Sequence, residues 1–127
     1  MLELLAVAIG GALGALSRYA LGGLVQNGHV YPWGTFSVNA LGSFGLGLLM
    51  YGIEYGLPLP SEARLLIGVG FIGAFTTFST FSYETFRMLD GGDYAGALAN
   101  LVLSLCVGLA AIYLGKLTAM KITGVVS

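Results

Sequence analysis

Between Gly73 and Glu84 the chain places five serine and threonine hydroxyls, three phenylalanines and one carboxylate. Phe78 and Phe81 are three residues apart and therefore share one face of a helix. The edge of a phenyl ring carries partial positive charge and a hydroxyl can donate a hydrogen bond, so both groups could favour an anion without trapping it. The alternative is plain packing, the commonest role of phenylalanine in an apolar helix.

This stretch lies inside an apolar segment that runs from Arg64 to Leu89. As one helix the segment would span roughly 39 Å, more than the hydrocarbon core of about 30 Å. Its midpoint falls at Thr76 and Thr77, beside Gly73, where polar groups are costly unless they face protein or water. We predict a break in the helix near this point, which would free backbone carbonyls that can coordinate a cation. A simple glycine kink with satisfied carbonyls is the alternative.

The composition indicates that the whole chain belongs in a membrane. Of its 127 residues 57% are hydrophobic and only 9% are charged, against about a quarter in soluble domains. Short polar stretches separate four apolar segments, each near the roughly 20 residues that a spanning helix needs. The predicted spans are residues 4–24, 34–53, 64–89 and 94–117. We expect a single all-α membrane domain, residues 1–127, with four transmembrane helices.

Other classes of function find no support in the composition. The net charge is −1 and no basic patch indicates nucleic-acid binding. The single cysteine, Cys106, excludes an intrachain disulfide. The N-terminus lacks the positive region of a signal peptide, so the first segment is interpreted as a retained span. No nucleophile, metal cluster or cofactor motif indicates catalysis, and no enzyme is expected.

The positive charges give almost no orientation in the membrane. With four spans, Arg64, Lys116 and Lys121 lie on one side, and Arg87 and a snorkelling Arg18 lie on the other. Because one side carries three positive charges and the other two, the positive-inside rule predicts no firm orientation. A weakly biased single topology and a dual-topology antiparallel pair both remain open. Because four short helices enclose little interior, we expect a pore to require two subunits.

Small and polar residues recur at every fourth position in the other three spans, so each row lies on one helical face. The row of the first span is Ala6, Gly10, Gly14 and Arg18. The rows of the second and fourth spans are Thr35, Asn39, Ser43 and Gly47, and Asn100, Ser104 and Gly108. Small residues allow close helix approach. The polar residues either join helices by hydrogen bonds or line a polar pathway.

Arg18 and Glu84 are the ionisable residues nearest the hydrocarbon. Arg18 lies about six residues before the end of its span, where it either anchors the helix at the interface or draws anions to a vestibule. Glu84 has Arg87 three residues on, a spacing that allows an ordinary helix-surface pair. The alternative for Glu84 is a role in ion access or proton coupling.

Three stretches of the chain resemble the fluoride channels of the Fluc, or CrcB, type. They are GGALGALSRY (Gly10 to Tyr19), GTFSVNALGSFGLG (Gly34 to Gly47) and GFIGAFTTFSTFSYE (Gly70 to Glu84). They occur in the family's order, and the chain length and number of spans also agree. The TTFSTF core in such a chain is highly specific, whereas the fourth span matches only in general character.

The resemblance implies a passive fluoride channel that exports fluoride across the cell membrane, built as an antiparallel, dual-topology homodimer with two pores. The implied fluoride pathway consists of Asn39, Phe78, Ser79, Thr80, Phe81 and Ser104. Arg18 and Glu84 would line the vestibule. Backbone carbonyls of Gly73 and Thr76 from both subunits would hold a structural sodium ion at the dimer centre.

Two positions depart from the family's pattern. Ala74 stands where many relatives have a second glycine, a mild change that should leave the predicted break intact. Gly108 offers no hydroxyl one turn beyond Ser104, which puts the far end of a polar track on the fourth span in doubt.

Two other functions remain open from the sequence. A small dual-topology, proton-coupled exporter would need a carboxylate within the membrane. The first span has only Glu3, at its extreme start, so Glu84 is the remaining candidate. A non-conducting scaffold subunit would instead give no flux from the purified protein and would tolerate Phe78→Ile and Phe81→Ile.

Overall fold

Four helices that are long and apolar enough to cross a membrane make up nearly all of the computed structural model, which describes residues 1–125. They are α1 (Leu2–Gln26), α2 (Trp33–Glu54), a third span (Ser61–Asp90) and a fourth span (Tyr94–Thr123). No strand occurs within residues 1–125. The expected all-helical architecture with four candidate spans is therefore confirmed. The helices extend past the ranges drawn from composition, most of all at the C-terminal end of the fourth span.

The backbone of the third span changes conformation at Thr76 and Thr77, here called the extended pair. Their φ/ψ angles are −85°/157° and −149°/121°, both in the extended region. The helical segments around the pair are α3 (Ser61–Arg64), a π-helical stretch (Leu65–Ile72), α4 (Gly73–Phe75) and α5 (Phe78–Asp90); the fourth span is α6 (Tyr94–Thr123). Thr77 is the N-cap of α5, because its hydroxyl accepts a hydrogen bond from the Thr80 N–H at 3.2 Å.

Residues without large side chains pack α1 against the first half of the third span. The buried residues of α1 are Ala6, Gly10 and Gly14, which form the small-residue row seen in the sequence. A Cβ atom on Gly10 would collide with the carbonyl oxygen of Leu66, and one on Gly14 with that of Phe71. The two backbones thus approach to a distance that only glycine permits.

A second glycine contact joins α2 to α6. A Cβ atom on Gly47, the last residue of the row on α2, would lie 2.5 Å from the carbonyl oxygen of Ile112, and Gly115 abuts the Phe44 carbonyl oxygen in the same way. The core between the helices is thin, because Val38 and Asn100 are the largest side chains with less than 2% exposure within the described residues. Most large apolar side chains therefore lie on the outside of the chain, facing lipid or another protein.

We expect Gly14→Ala to destabilise the fold by about 1–3 kcal/mol, because the new Cβ forces the Phe71 backbone away. Gly11→Ala is the matched control on the same helix, since nothing lies within 4 Å of its added Cβ. Thermal unfolding of the purified proteins in detergent measures both. Equal loss of stability in the two variants would contradict the proposed packing.

Candidate functional site

One side chain on α2 satisfies the backbone of the extended pair. The Asn39 Nδ2 atom donates a hydrogen bond to the Thr77 carbonyl oxygen at 3.0 Å, and the Asn39 Oδ1 atom accepts one from the Thr77 N–H at 2.8 Å. Non-helical backbone at membrane depth requires such partners, because the lipid offers none. The polar row on α2 thus meets the third span at the residue where helical hydrogen bonding stops.

Two carbonyl oxygens at the extended pair lose their usual helical donors. In a continuous helix the Thr77 N–H would donate to Gly73 O, four residues earlier, but it donates to Asn39 instead. Likewise the Thr80 N–H, the helical donor for Thr76 O, binds the Thr77 hydroxyl. Gly73 is exposed and Thr76 is half-buried. Both carbonyl oxygens predicted to bind a cation therefore lack their regular helical donor.

A groove of about 490 Å³ lies beside the extended pair, between α2, α5 and α6. We call it the phenylalanine groove; its lining is Asn39, Ser43, Thr76, Thr77, Phe78, Phe81, Leu101, Ser104 and Leu105. The ring centroids of Phe78 and Phe81 are 6.0 Å apart, with an angle of 46° between the ring planes. Four of the six residues predicted for a fluoride pathway thus meet in one place, and they come from three separate helices.

The other two predicted pathway residues, Ser79 and Thr80, do not line this groove. Successive helical residues are about 100° apart, so two residues between Phe78 and Phe81 necessarily turn to other faces. Ser79 is exposed and its Oγ atom lies 3.4 Å from that of Thr77. The Thr77 hydroxyl donates to Thr80 Oγ1 at 3.1 Å. The two residues therefore form a hydroxyl cluster around Thr77 rather than part of the groove.

A second cavity, of about 320 Å³, contains the two residues predicted for a vestibule. We call it the arginine cavity, and its polar lining is Arg18, Tyr19, Gln26, Thr35, Thr77, Thr80 and Glu84. Thr77 lines both this cavity and the phenylalanine groove. Thr77 therefore lies between the two spaces.

Glu84 bonds across to α2 in the arginine cavity. Its Oε1 atom accepts a hydrogen bond from the Thr35 hydroxyl at 2.7 Å. Its Oε2 atom is buried and has no hydrogen-bond partner within residues 1–125. Thr35, the first residue of the polar row on α2, therefore binds the Glu84 carboxylate. The spacing in the sequence also allowed this carboxylate to pair with Arg87.

Sequence reasoning missed two residues that shape these cavities. Thr85 is buried on α5 and accepts a hydrogen bond from Asn100 of α6 at 2.9 Å. Gln26 ends α1, and its side chain accepts from the Gly34 N–H at 3.0 Å and donates to the Tyr31 carbonyl oxygen at 3.2 Å. Thr85 belongs to none of the rows of small and polar residues at fourfold spacing. Gln26 does continue the row of α1 beyond Arg18, through Gly22, but it lies past the predicted end of that span at residue 24.

Comparison with known proteins gives the family of the chain. The family described as "CrcB-like protein, Camphor Resistance (CrcB)" matches residues 5–116, which include most of each span. The chain belongs to the CrcB family. This match confirms the resemblance carried by the three motifs on the first three spans.

Individual relatives of this CrcB-family chain match over nearly its whole length. The fluoride-specific ion channel FluC 1 of Methanosarcina acetivorans is 46% identical over 123 residues, which cover 96% of this chain and 94% of the relative. The fluoride-specific ion channel FluC of Geobacter metallireducens is 46% identical over 124 residues, 94% of this chain and 98% of the relative. The fluoride-specific ion channel FluC of Magnetococcus marinus is 48% identical over 111 residues, which cover 86% of this chain and 90% of the relative. Together with its four apolar helices, this places the chain among multi-pass membrane proteins.

We expect Asn39→Leu to be destabilising in this CrcB-family chain, because it removes the protein partners of the Thr77 N–H and carbonyl within a span. Each unsatisfied group costs about 1–3 kcal/mol. Ser43→Ala, one turn along the same face of α2, is the matched control and should change stability little. Resistance to thermal unfolding in detergent separates the two variants. Wild-type stability in Asn39→Leu would show that the contact does not hold the extended pair.

Proposed function

We propose that this protein is a passive, fluoride-selective ion channel that exports fluoride from the cytoplasm, and that it is not an enzyme. The observation that carries the proposal is the phenylalanine groove of a CrcB-family chain, where two phenyl rings, an amide and a serine hydroxyl converge. The choice of ion is supported by the relatives, which are named fluoride-specific ion channels. Channel function follows the family and leaves no reaction to catalyse.

The groove offers donors that suit a small, strongly hydrated anion. Asn39 uses one hydrogen of its Nδ2 atom on Thr77, so the second hydrogen is available to an ion. The Ser104 hydroxyl makes only a long bond, 3.5 Å, to Asn100 Oδ1 and can turn toward the groove. Ring edges of Phe78 and Phe81 add weak positive charge. Together these groups replace part of the hydration shell of fluoride without trapping it, while chloride is excluded by its size and by the donor spacing.

Fluoride would reach the groove through the arginine cavity. Arg18 provides positive charge within this cavity, which raises the local concentration of anions. The hydroxyls of Ser79 and Thr80 lie beside that of Thr77, the residue that lines both the cavity and the groove. We propose that they continue the polar track past the extended pair, with Glu84 held aside by Thr35.

The channel is proposed to be an antiparallel, dual-topology homodimer with two pores. Phe78 is 79% exposed in the single chain, although it lines the groove, so the groove lacks a wall. A second copy would supply that wall, and twofold symmetry would generate two equivalent pathways. The near balance of positive charges on the two sides is compatible with insertion in both directions.

We propose that the extended pair is the break of the third span and that it supports a structural sodium ion. The carbonyl oxygens of Gly73 and Thr76 lack their regular helical donors, and oxygen ligands suit a hard cation. Two carbonyls from each of two chains would make four ligands at the dimer centre. The ion would add fixed positive charge between the two broken spans and hold them together.

The direction of flow follows from the chemistry of hydrogen fluoride. Fluoride enters acidified cells as neutral HF and dissociates in the cytoplasm. An anion pathway in the cell membrane lets the negative interior drive fluoride outward, with about 2.3 kcal/mol per charge for each 100 mV. No coupled ion is needed to keep cytoplasmic fluoride low.

Replacing either groove phenylalanine tests the proposal. We expect Phe78→Ile and Phe81→Ile to lower fluoride efflux from liposomes of purified protein at least about tenfold, because the ring edges are lost. The matched control is Phe86→Ile, since Phe86 lies on the same helix, is 65% exposed and does not line the groove. A fluoride electrode measures the efflux. Unchanged efflux in both groove variants would remove the rings from the pathway, whereas absence of efflux from the wild-type protein would favour a scaffold.

Glu84→Gln separates the channel from a proton-coupled exporter. It keeps an oxygen that accepts from Thr35 and removes the ionisable group. We expect both wild type and Glu84→Gln to release fluoride without a proton gradient, and neither to exchange an organic cation. Proton-driven uptake of an organic cation by the wild type, lost in Glu84→Gln, would favour the exporter.

A further inference from the structure

The helix that carries both groove phenylalanines has only one buried residue. That residue is Thr85, which is 5% exposed, whereas Phe78, Tyr83 and Phe86 on the same helix are all largely exposed. Apolar packing therefore contributes little to the position of α5 within the chain. Since apolar contacts are also non-directional, a different interaction must set the distance and rotation of α5 relative to its neighbours.

Toward α2 that interaction is the hydrogen bond between Thr35 and Glu84, and toward α6 it is a chain of hydrogen bonds. Asn100 of α6 is 1% exposed, and its Nδ2 atom donates to Thr85 Oγ1 at 2.9 Å. The Thr85 hydroxyl in turn donates to the Phe81 carbonyl oxygen at 2.8 Å. At the other end, the Ser104 hydroxyl donates to Asn100 Oδ1 at 3.5 Å. The bonds thus connect Ser104 on one side of the phenylalanine groove with Phe81 on the other.

We infer that Asn100 and Thr85 form a positioning pair that sets the width of the phenylalanine groove. Neither residue lines the groove, so the pair acts through Phe81 and Ser104. A hydrogen bond between buried side chains is directional and stronger than in water, because the surroundings are of low dielectric. The pair therefore fixes the gap between α5, which carries the Phe81 ring, and α6, which carries Ser104. This inference rests on the proposed fluoride pathway through that gap.

The test compares a variant that removes the hydroxyl with one that keeps it. Thr85→Val has nearly the same shape but leaves Asn100 without its acceptor, while Thr85→Ser preserves the bonds. Thr118→Val is the matched control, because Thr118 makes the same kind of bond to a carbonyl four residues earlier, at 2.8 Å, on α6 away from the groove. Asn100→Leu is the second single variant, and the double variant that combines it with Thr85→Val completes a double-mutant cycle.

The readout is fluoride efflux at a protein density low enough that many liposomes hold no channel. A merely structural loss lowers the fraction of liposomes that release fluoride, whereas a positioning defect lowers the rate in those that do. We expect Thr85→Val to lower that rate about tenfold, and Thr85→Ser and Thr118→Val to stay within about twofold of wild type. The double variant should be no slower than either single variant, because the two residues act as one unit.

The inference would be overturned if Thr85→Val kept the wild-type rate, or if it lowered only the fraction of liposomes that release fluoride. It would also be overturned if the two single defects multiplied in the double variant. If Asn100→Leu does not fold, the comparison of Thr85→Val with Thr85→Ser decides. Amide hydrogen exchange over residues 78–90 does not depend on conduction. Faster exchange in Thr85→Val but not in Thr118→Val supports the pair, and unchanged exchange overturns it. Absence of fluoride release by the wild type would instead refute the proposed function.

Discussion

The hydrogen bonds between Asn39 and the backbone of Thr77 are the contact on which the site depends. Extended backbone within a span of 30 residues is costly where its N–H and C=O groups find no partner, because lipid offers none. Asn39 provides both partners for Thr77 from the neighbouring helix. Without it, the lowest-energy solution for this backbone in lipid would be a continuous helix, which would turn the face of α5 relative to α2.

Several features of the site follow from that one contact. Thr77 is free to cap α5, the carbonyls of Gly73 and Thr76 lose their helical donors, and Thr77 lies between the arginine cavity and the phenylalanine groove. The two halves of the third span are then held by different means. Glycine contacts with α1 fix the first half through backbone shape. Hydrogen bonds from Thr35 and Asn100 hold the second half, where little apolar surface is buried.

The spans and the faces of the helices could be predicted from the sequence, because membrane length and fourfold spacing are local properties of the chain. The row of Ala6, Gly10 and Gly14 is buried as its small residues indicate. The partner of a polar side chain depends on which helices become neighbours, which spacing does not specify. For that reason Asn39 could be recognised as a polar residue within a span, but its contact with Thr77 could not be foreseen, and Thr85 was missed. The roles of the groove residues in fluoride passage stay predictions.

The reversal potential of the current through the purified protein in a planar bilayer tests the central claim most directly. A tenfold fluoride gradient is set across the bilayer, with equal chloride and sodium on both sides and no proton gradient. A passive fluoride-selective channel predicts a reversal potential of about 59 mV in the direction set by fluoride, as expected for a single charge. A current that reverses at zero, or fluoride transport that carries no current, would contradict a selective fluoride channel.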